Sequence, residues 1–301
     1  MIRRKKISKI GTVEVGLPII EFGEGKPVLS IVAGVHGDET KPLLVLKRFI
    51  EEIQKQEING KIKIFSDANP LAKIYNKRFN VIDFVDLNRI FPGDNQGSIS
   101  QRVAEALLAE LDDSALVIDL HSYHMQTPLM AIAVNTTDEK TMSMIKASNP
   151  KQVWLINSVN ENEYKFGRSL GAELNKRKIT NFAVEINQRN ISQDEIEDCV
   201  KGLINVCGEL GLLKNHKIEN DLRMFERTVF TTTTNGLFIP LKKPFDYVKK
   251  GDKVGSIYDI ETFQEIDVLA ESEGVLMQIA WNDMVLIGEE IYAIGKEKNG
   301  V

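Results

Sequence analysis

Histidine and cysteine are scarce in this 301-residue chain, at four and two copies, and the two cysteines exclude a disulfide-stapled scaffold. Cys199 and Cys207 lie eight positions apart in what reads as one helix, too far along its axis to bond. They are expected as small buried apolar residues, with metal ligation the weaker alternative. Long apolar runs are also missing, so no helical membrane span is expected. An excess of positive charge is lacking as well. The formal charge is -5, which argues against a nucleic-acid surface, since that affinity comes from clustered Lys and Arg. The short cluster Arg3-Arg4-Lys5-Lys6 runs into Ile7-Ser8-Lys9-Ile10-Gly11 rather than an apolar core, so it does not read as a secretory signal, and a cytoplasmic protein is expected. There is no low-complexity tract and no solenoid period.

What is present is an ordinary globular composition, 43% hydrophobic and 27% charged. The run Pro27 to Val35 (PVLSIVAGV) predicts a strand buried on both faces. It hands over through Gly34-Val35-His36-Gly37 to a helix whose apolar face is Leu43, Leu46, Phe49, Ile50 and Ile53, with Thr40 as its cap and Pro42 in the first turn. Alternation continues with strands over 61–66, 115–120, 129–134, 153–156 and 182–185, and helices over 100–111, 167–177 and 193–210. The fold class expected is α/β, with a mostly parallel central sheet covered by helices on both faces over residues 1–227. From residue 228 to 301 short β-like runs and turns predict a small all-β domain. Within it KKGDKVGSI and AESEGVL resemble the hammerhead modules of biotinyl and lipoyl domains, but without the lysine setting that would carry a cofactor.

Ligands of such sheets bind beyond the carboxyl ends of the strands, and His36, His121 and Glu185 all stand at such ends. His36 and Glu39, three apart at a strand-to-helix turn, can aim an imidazole nitrogen and a carboxylate at one point, and His121 is the natural third ligand for a catalytic zinc. Asp119 shares a strand face with His121 and can serve as the carboxylate that fixes its tautomer. An isolated HxxE is often only a surface pair, but the flanking glycines allow close backbone approach. His124 is assigned to a loop, and His216 to the solvated stretch Lys214-Asn215-His216-Lys217.

Glu185, in Ala183-Val184-Glu185-Ile186-Asn187, follows an apolar strand, where a carboxylate is costly unless it meets water, metal or a partner. It suits a general base that takes a proton from zinc-activated water, although a strand-end salt bridge would also fit. The loop from Asn69 to Gly93 is long and polar for a compact domain. In it Arg89 beside Asn88 can hold a carboxylate, and Arg78 can stabilise an oxyanion.

Taken together, GVHGDE, NPLAKIYNKRF, DLNRIFPG, DLHS and AVEIN resemble, in order and spacing over residues 27–190, the succinylglutamate desuccinylase and aspartoacylase family of the zinc carboxypeptidase superfamily. The resemblance implies one zinc ion per chain on His36, Glu39 and His121, carboxylate binding by Asn88 and Arg89, carbonyl polarisation by Arg78 and a general base at Glu185. In the family's pattern a glycine follows the base motif, whereas Asn187-Gln188 stand here, and no counterpart is found of the arginine and tyrosine with which some members grip a second carboxylate. The expected function is hydrolysis of an N-acyl amino acid or related small amide. A metallocarboxypeptidase and a catalytically silent binding protein are the alternatives, and homo-oligomerisation is open.

Overall fold

A computed structural model describes residues 1–159, 164–214 and 223–297. In chain order, β1 (Ile2–Ile10) and β2 (Val13–Glu24) form a hairpin. Then come β3 (Val28–Ala33), α1 (Pro42–Ile53), β4 (Gly60–Phe65), α2 (Pro70–Ile74), α3 (Ile99–Leu111) and β5 (Leu116–Tyr123). These are followed by β6 (Met130–Val134), α4 (Glu139–Ala147), β7 (Gln152–Ile156), α5 (Leu170–Lys176), β8 (Thr180–Asn187) and α6 (Gln193–Glu209). The remainder is strand: β9 (Met224–Thr231), β10 (Gly236–Pro240), β11 (Tyr247–Val248), β12 (Lys253–Tyr258), β13 (Glu265–Leu269), β14 (Gly274–Ile279), β15 (Asp283–Val285) and β16 (Glu290–Glu297). The four-residue basic cluster falls in β1, the sheet's edge strand, where charge discourages further pairing. Its Arg3 bonds Glu21 and Glu110, and Lys6 bonds Glu14.

Twelve strands make one sheet in the order β1-β2-β4-β3-β5-β8-β6-β7-β9-β16-β14-β11. The expectation of a mostly parallel sheet needs correction, because the sheet is mixed. Parallel pairing joins β4, β3, β5 and β8, and again β6, β7 and β9. The β8–β6 junction and both flanks are antiparallel. An apolar run reports burial on both faces but not strand direction, and the short turn at Gly11-Thr12 can only close an antiparallel hairpin.

Helices do cover both faces. One core packs α1, α4 and α6 on the sheet through Val45, Phe49, Ile145, Leu203 and both cysteines, which are buried thiols. The other packs α3 and α5 through Val103, Leu107, Leu111, Leu170 and Leu174. Two local expectations fail for identifiable reasons. Thr40 is not the cap of α1: its carbonyl accepts from Leu43 N at 3.1 Å, while Lys41 is the N-cap residue and makes no side-chain cap. The single helix expected over 167–177 is a 3₁₀ turn, Tyr164–Arg168, followed by α5, because the Ser169 side chain accepts from Ala172 N and starts a new helix.

The strand β9 runs through the boundary expected at 227/228 and carries the main sheet onward into β16, β14 and β11. A second sheet, β13-β12-β10-β15, folds over them around Phe238, Val254, Leu276 and Tyr292, and Met125 from the loop after β5 joins this core. Among the described residues no helix is long and apolar enough to cross a membrane.

Candidate active site

The strands β3, β5 and β8 are parallel neighbours, so the groups at their carboxyl ends lie side by side. His121 and Glu185 are register partners across β5 and β8 and share one face. His36 arrives from β3 through a turn that Gly34 makes at φ +77°. At Gly37 a Cβ would sit 2.1 Å from the Ala72 carbonyl carbon, so only glycine lets α2 close over this turn.

Two imidazoles and a carboxylate converge here. His36 Nδ1 is 2.6 Å from Glu39 Oε1, and His121 Nδ1 is 2.9 Å from Glu39 Oε2, which also accepts from Ser122 N at 3.0 Å. The far nitrogen of each ring meets an aspartate: His36 Nε2 lies 3.2 Å from Asp86 Oδ1, and His121 Nε2 lies 2.8 Å from Asp119 Oδ2. With each Nε2–H donating to its aspartate, Nδ1 is the nitrogen of each ring that faces Glu39, a donor to it while the ring is protonated and a lone pair open to a metal when it is not. All three residues are buried, and their ligand atoms fall within 4.8 Å of one another, a donor set able to hold a metal ion.

The electrostatics ask for positive charge at this point. Burial opposes charge on His36 and His121, yet Glu39, Asp86 and Asp119 outweigh it and raise both imidazoles. Burial likewise penalises the Glu39 carboxylate, but the two rings hold it well below the usual range. Glu185 differs. Among the described residues its buried Oε2 has no partner, and burial pushes the carboxyl up to about 8 against the pull of His121. A divalent cation between the rings would satisfy the whole set, which is the physical test that zinc has to pass here.

The loop residues gather on the same side. Asp86 ties them together: Oδ1 accepts from Asn88 N at 2.9 Å as well as from His36, and Oδ2 accepts from Arg78 Nε at 3.1 Å. Burial is the largest influence on Asp86 and is overcome by His36 and Arg78, so its carboxyl stays low. Arg78 Nη1 stands 3.6 Å from Glu39 Oε1. The Asn88 Oδ1 accepts from Leu170 N at 2.8 Å, and Arg89 lies 5.0 Å over the Phe166 ring, with Nη1 on the Asn88 carbonyl. Thus every residue expected at the site lines one cleft of about 1570 Å³. His124 is in the loop after β5, exposed and tilted against Tyr123 at the cleft wall. His216 lies outside the described residues.

Residues 25–206 match the model of the succinylglutamate desuccinylase/aspartoacylase catalytic domain. The chain belongs to this family. Among relatives of the succinylglutamate desuccinylase/aspartoacylase family, an N-alpha-acetyl-L-2,4-diaminobutyric acid deacetylase of Halomonas elongata is 30% identical over 115 residues, 37% of this chain and 33% of that protein. A succinylglutamate desuccinylase of Pseudomonas fluorescens is 30% identical over 104 residues, 31% of this chain and 30% of its own. The chain therefore spans about a third of the length of these two curated relatives. Similarity to solved structures is more extensive. An aspartoacylase family protein of Mesorhizobium loti superposes with a TM-score of 0.84 at 25% identity, covering 100% of this chain and 95% of that one. The product-bound ectoine utilisation protein EutE (DoeB) of Ruegeria pomeroyi has the same fold, with a TM-score of 0.82 at 20% identity over 98% and 94% of the two chains.

Sequence reasoning misses part of this cleft. Asp86 stands in the open within DLNR, but nothing in the motif assigns it a role. Arg227 and Glu290, which line the cleft opposite the loop, come from the β-rich tail, where an arginine or glutamate in a strand looks like any solvated side chain. No local signal marks them, because burial there depends on β9 joining β7.

Proposed function

We propose that this chain is a zinc-dependent deacylase that hydrolyses the amide bond of small N-acyl amino acids. The observation that carries the reading is the convergence of two aspartate-backed imidazoles on Glu39 beside the unpartnered, buried oxygen of Glu185. Zinc held by His36, Glu39 and His121 would supply the Lewis acidity that activates water and polarises the scissile carbonyl.

The chain's own groups do the rest. Glu185 takes the proton of the attacking water at Oε2 and returns it to the leaving nitrogen as the carbon–oxygen bond forms and the carbon–nitrogen bond breaks. The products are a carboxylate and a free amine. Arg78, fixed by Asp86, faces the charge that develops on the carbonyl oxygen. Asn88 and Arg89 take the substrate carboxylate, their placement set by Leu170 N and the Phe166 ring. Asp119 and Asp86 keep the imidazole tautomers that leave Nδ1 open. The names of the curated relatives, a deacetylase and a desuccinylase, support amide deacylation.

The test is amine release from a panel of N-acyl amino acids and C-terminal peptides by zinc-loaded and chelator-treated protein. Zinc-dependent cleavage of the N-acyl amino acids is expected. Cleavage confined to peptides would favour a carboxypeptidase, and no turnover of any amide with zinc bound would end the enzymatic reading.

A further inference from the structure

The far wall of the cleft is built around Arg227 of β9, whose side chain is only 4% exposed. A buried arginine in a substrate cleft is the usual receptor for a carboxylate, but Nε and Nη2 of this one are already bonded within the chain. Its Nε donates to Gln278 Oε1 of β14 at 2.8 Å, and its Nη2 donates to that same oxygen and, at 3.3 Å, to the Tyr123 hydroxyl. The same Nη2 is paired with the carboxylate of Glu290 on β16, and the guanidinium lies 4.2 Å over the Trp154 ring. Glu290 keeps 20% of its side chain exposed and itself lines the cleft. The wall is continuous with the carboxylate clamp: Trp154 meets Phe166 edge-on at 5.7 Å, and Phe166 carries Arg89 on its other contact.

We infer that the Glu290–Arg227 pair restricts this deacylase to substrates with a single carboxylate, namely N-acyl amino acids whose acyl group and side chain are uncharged or cationic. The inference rests on the deacylase reading and sharpens it. One substrate carboxylate goes to Asn88 and Arg89. A second, on the acyl chain or the side chain, would reach a wall whose buried cation, Arg227, is neutralised by Glu290, and would meet that glutamate beside the exposed Lys165 over Phe166. A dicarboxylic substrate has to displace a partly buried ion pair or leave a charge without its counter-ion, and either is a built-in rejection. The C-terminal strands thereby acquire a role, since Arg227, Gln278 and Glu290 all come from them.

The experiment compares kcat/KM for two near-isosteric pairs, N-acetyl-L-glutamine against N-acetyl-L-glutamate and N-succinamyl-L-alanine against N-succinyl-L-alanine. The zinc-loaded wild type is expected to favour the uncharged member of each pair by at least about tenfold, because setting like charges side by side in a binding site costs more than one factor of ten. In Glu290→Gln, which frees Arg227 at nearly constant volume, the gap narrows by about tenfold or more. Adding Arg227→Met to that variant removes the gain. Equal turnover within both pairs by the wild type overturns the inference and leaves the deacylase reading standing. Unchanged ratios in a folded Glu290→Gln overturn it too, whereas no hydrolysis of these four or of any other member of the N-acyl amino acid panel with zinc bound refutes the deacylase reading itself.

Discussion

Replacing Glu185 by glutamine separates stability from chemistry. The residue is 9% exposed, its Oε2 has no partner among the described residues, and glutamine keeps its shape while removing its ionisation. In the metal-free protein burial raises this carboxyl to about 8, above the value of about 4.3 in an unfolded chain. A raised carboxyl favours folding fully below the unfolded pKa, and that stability is lost as pH rises through the folded one. Each tenfold change in proton affinity is worth about 1.4 kcal/mol, so metal-free wild type should lose up to a few kcal/mol between about pH 4 and 8 relative to Glu185→Gln. Chemical denaturation of both proteins in chelator across that range measures the difference directly. With zinc bound the variant should lose about 100- to 10,000-fold in kcat, the usual contribution of a positioned proton acceptor. Its acid limb in the pH–rate profile should vanish with it. A variant with full zinc content that keeps a tenth of wild-type kcat would refute the assignment of Glu185 as base, and parallel stability curves would refute the burial argument.

Other perturbations probe separate parts of the site. Asp119→Ala removes the carboxylate on His121 Nε2 and should weaken zinc binding about 10- to 100-fold, read by competition with a chromogenic chelator. Arg89→Ala should raise KM for N-acyl amino acids well beyond its effect on kcat, since it removes binding present in both ground and transition states. Gly37→Ala places a Cβ 2.1 Å from the backbone of Ala72 and should lower the melting temperature and zinc affinity together, whereas alanine at Gly211, where no atom of the described residues lies within 4 Å of a Cβ but φ is +82°, should cost mainly backbone strain.

Much of this is legible in the residues. Apolar runs ending in His36, His121 and Glu185 mark the central strands, and the rule that ligands sit beyond their carboxyl ends brings three distant positions to one place. Direction and partnership are not written there. Runs such as PVLSIVAGV do not reveal whether a neighbour is parallel, which is why the antiparallel flanks and the β8–β6 junction are invisible in the sequence. The β1–β2 hairpin escapes because its exposed first strand is basic and lacks clean alternation. Arg227 escapes for the converse reason: its burial is imposed by segments far apart in the chain, as its bond to Tyr123 across 104 positions shows.

The most direct test of the central claim is the zinc content per chain of the purified protein beside His36→Ala, His121→Ala and Cys199→Ala. One zinc per chain is expected in the wild type and in Cys199→Ala, and next to none in either histidine variant. Stoichiometric zinc retained by both folded histidine variants would contradict the site.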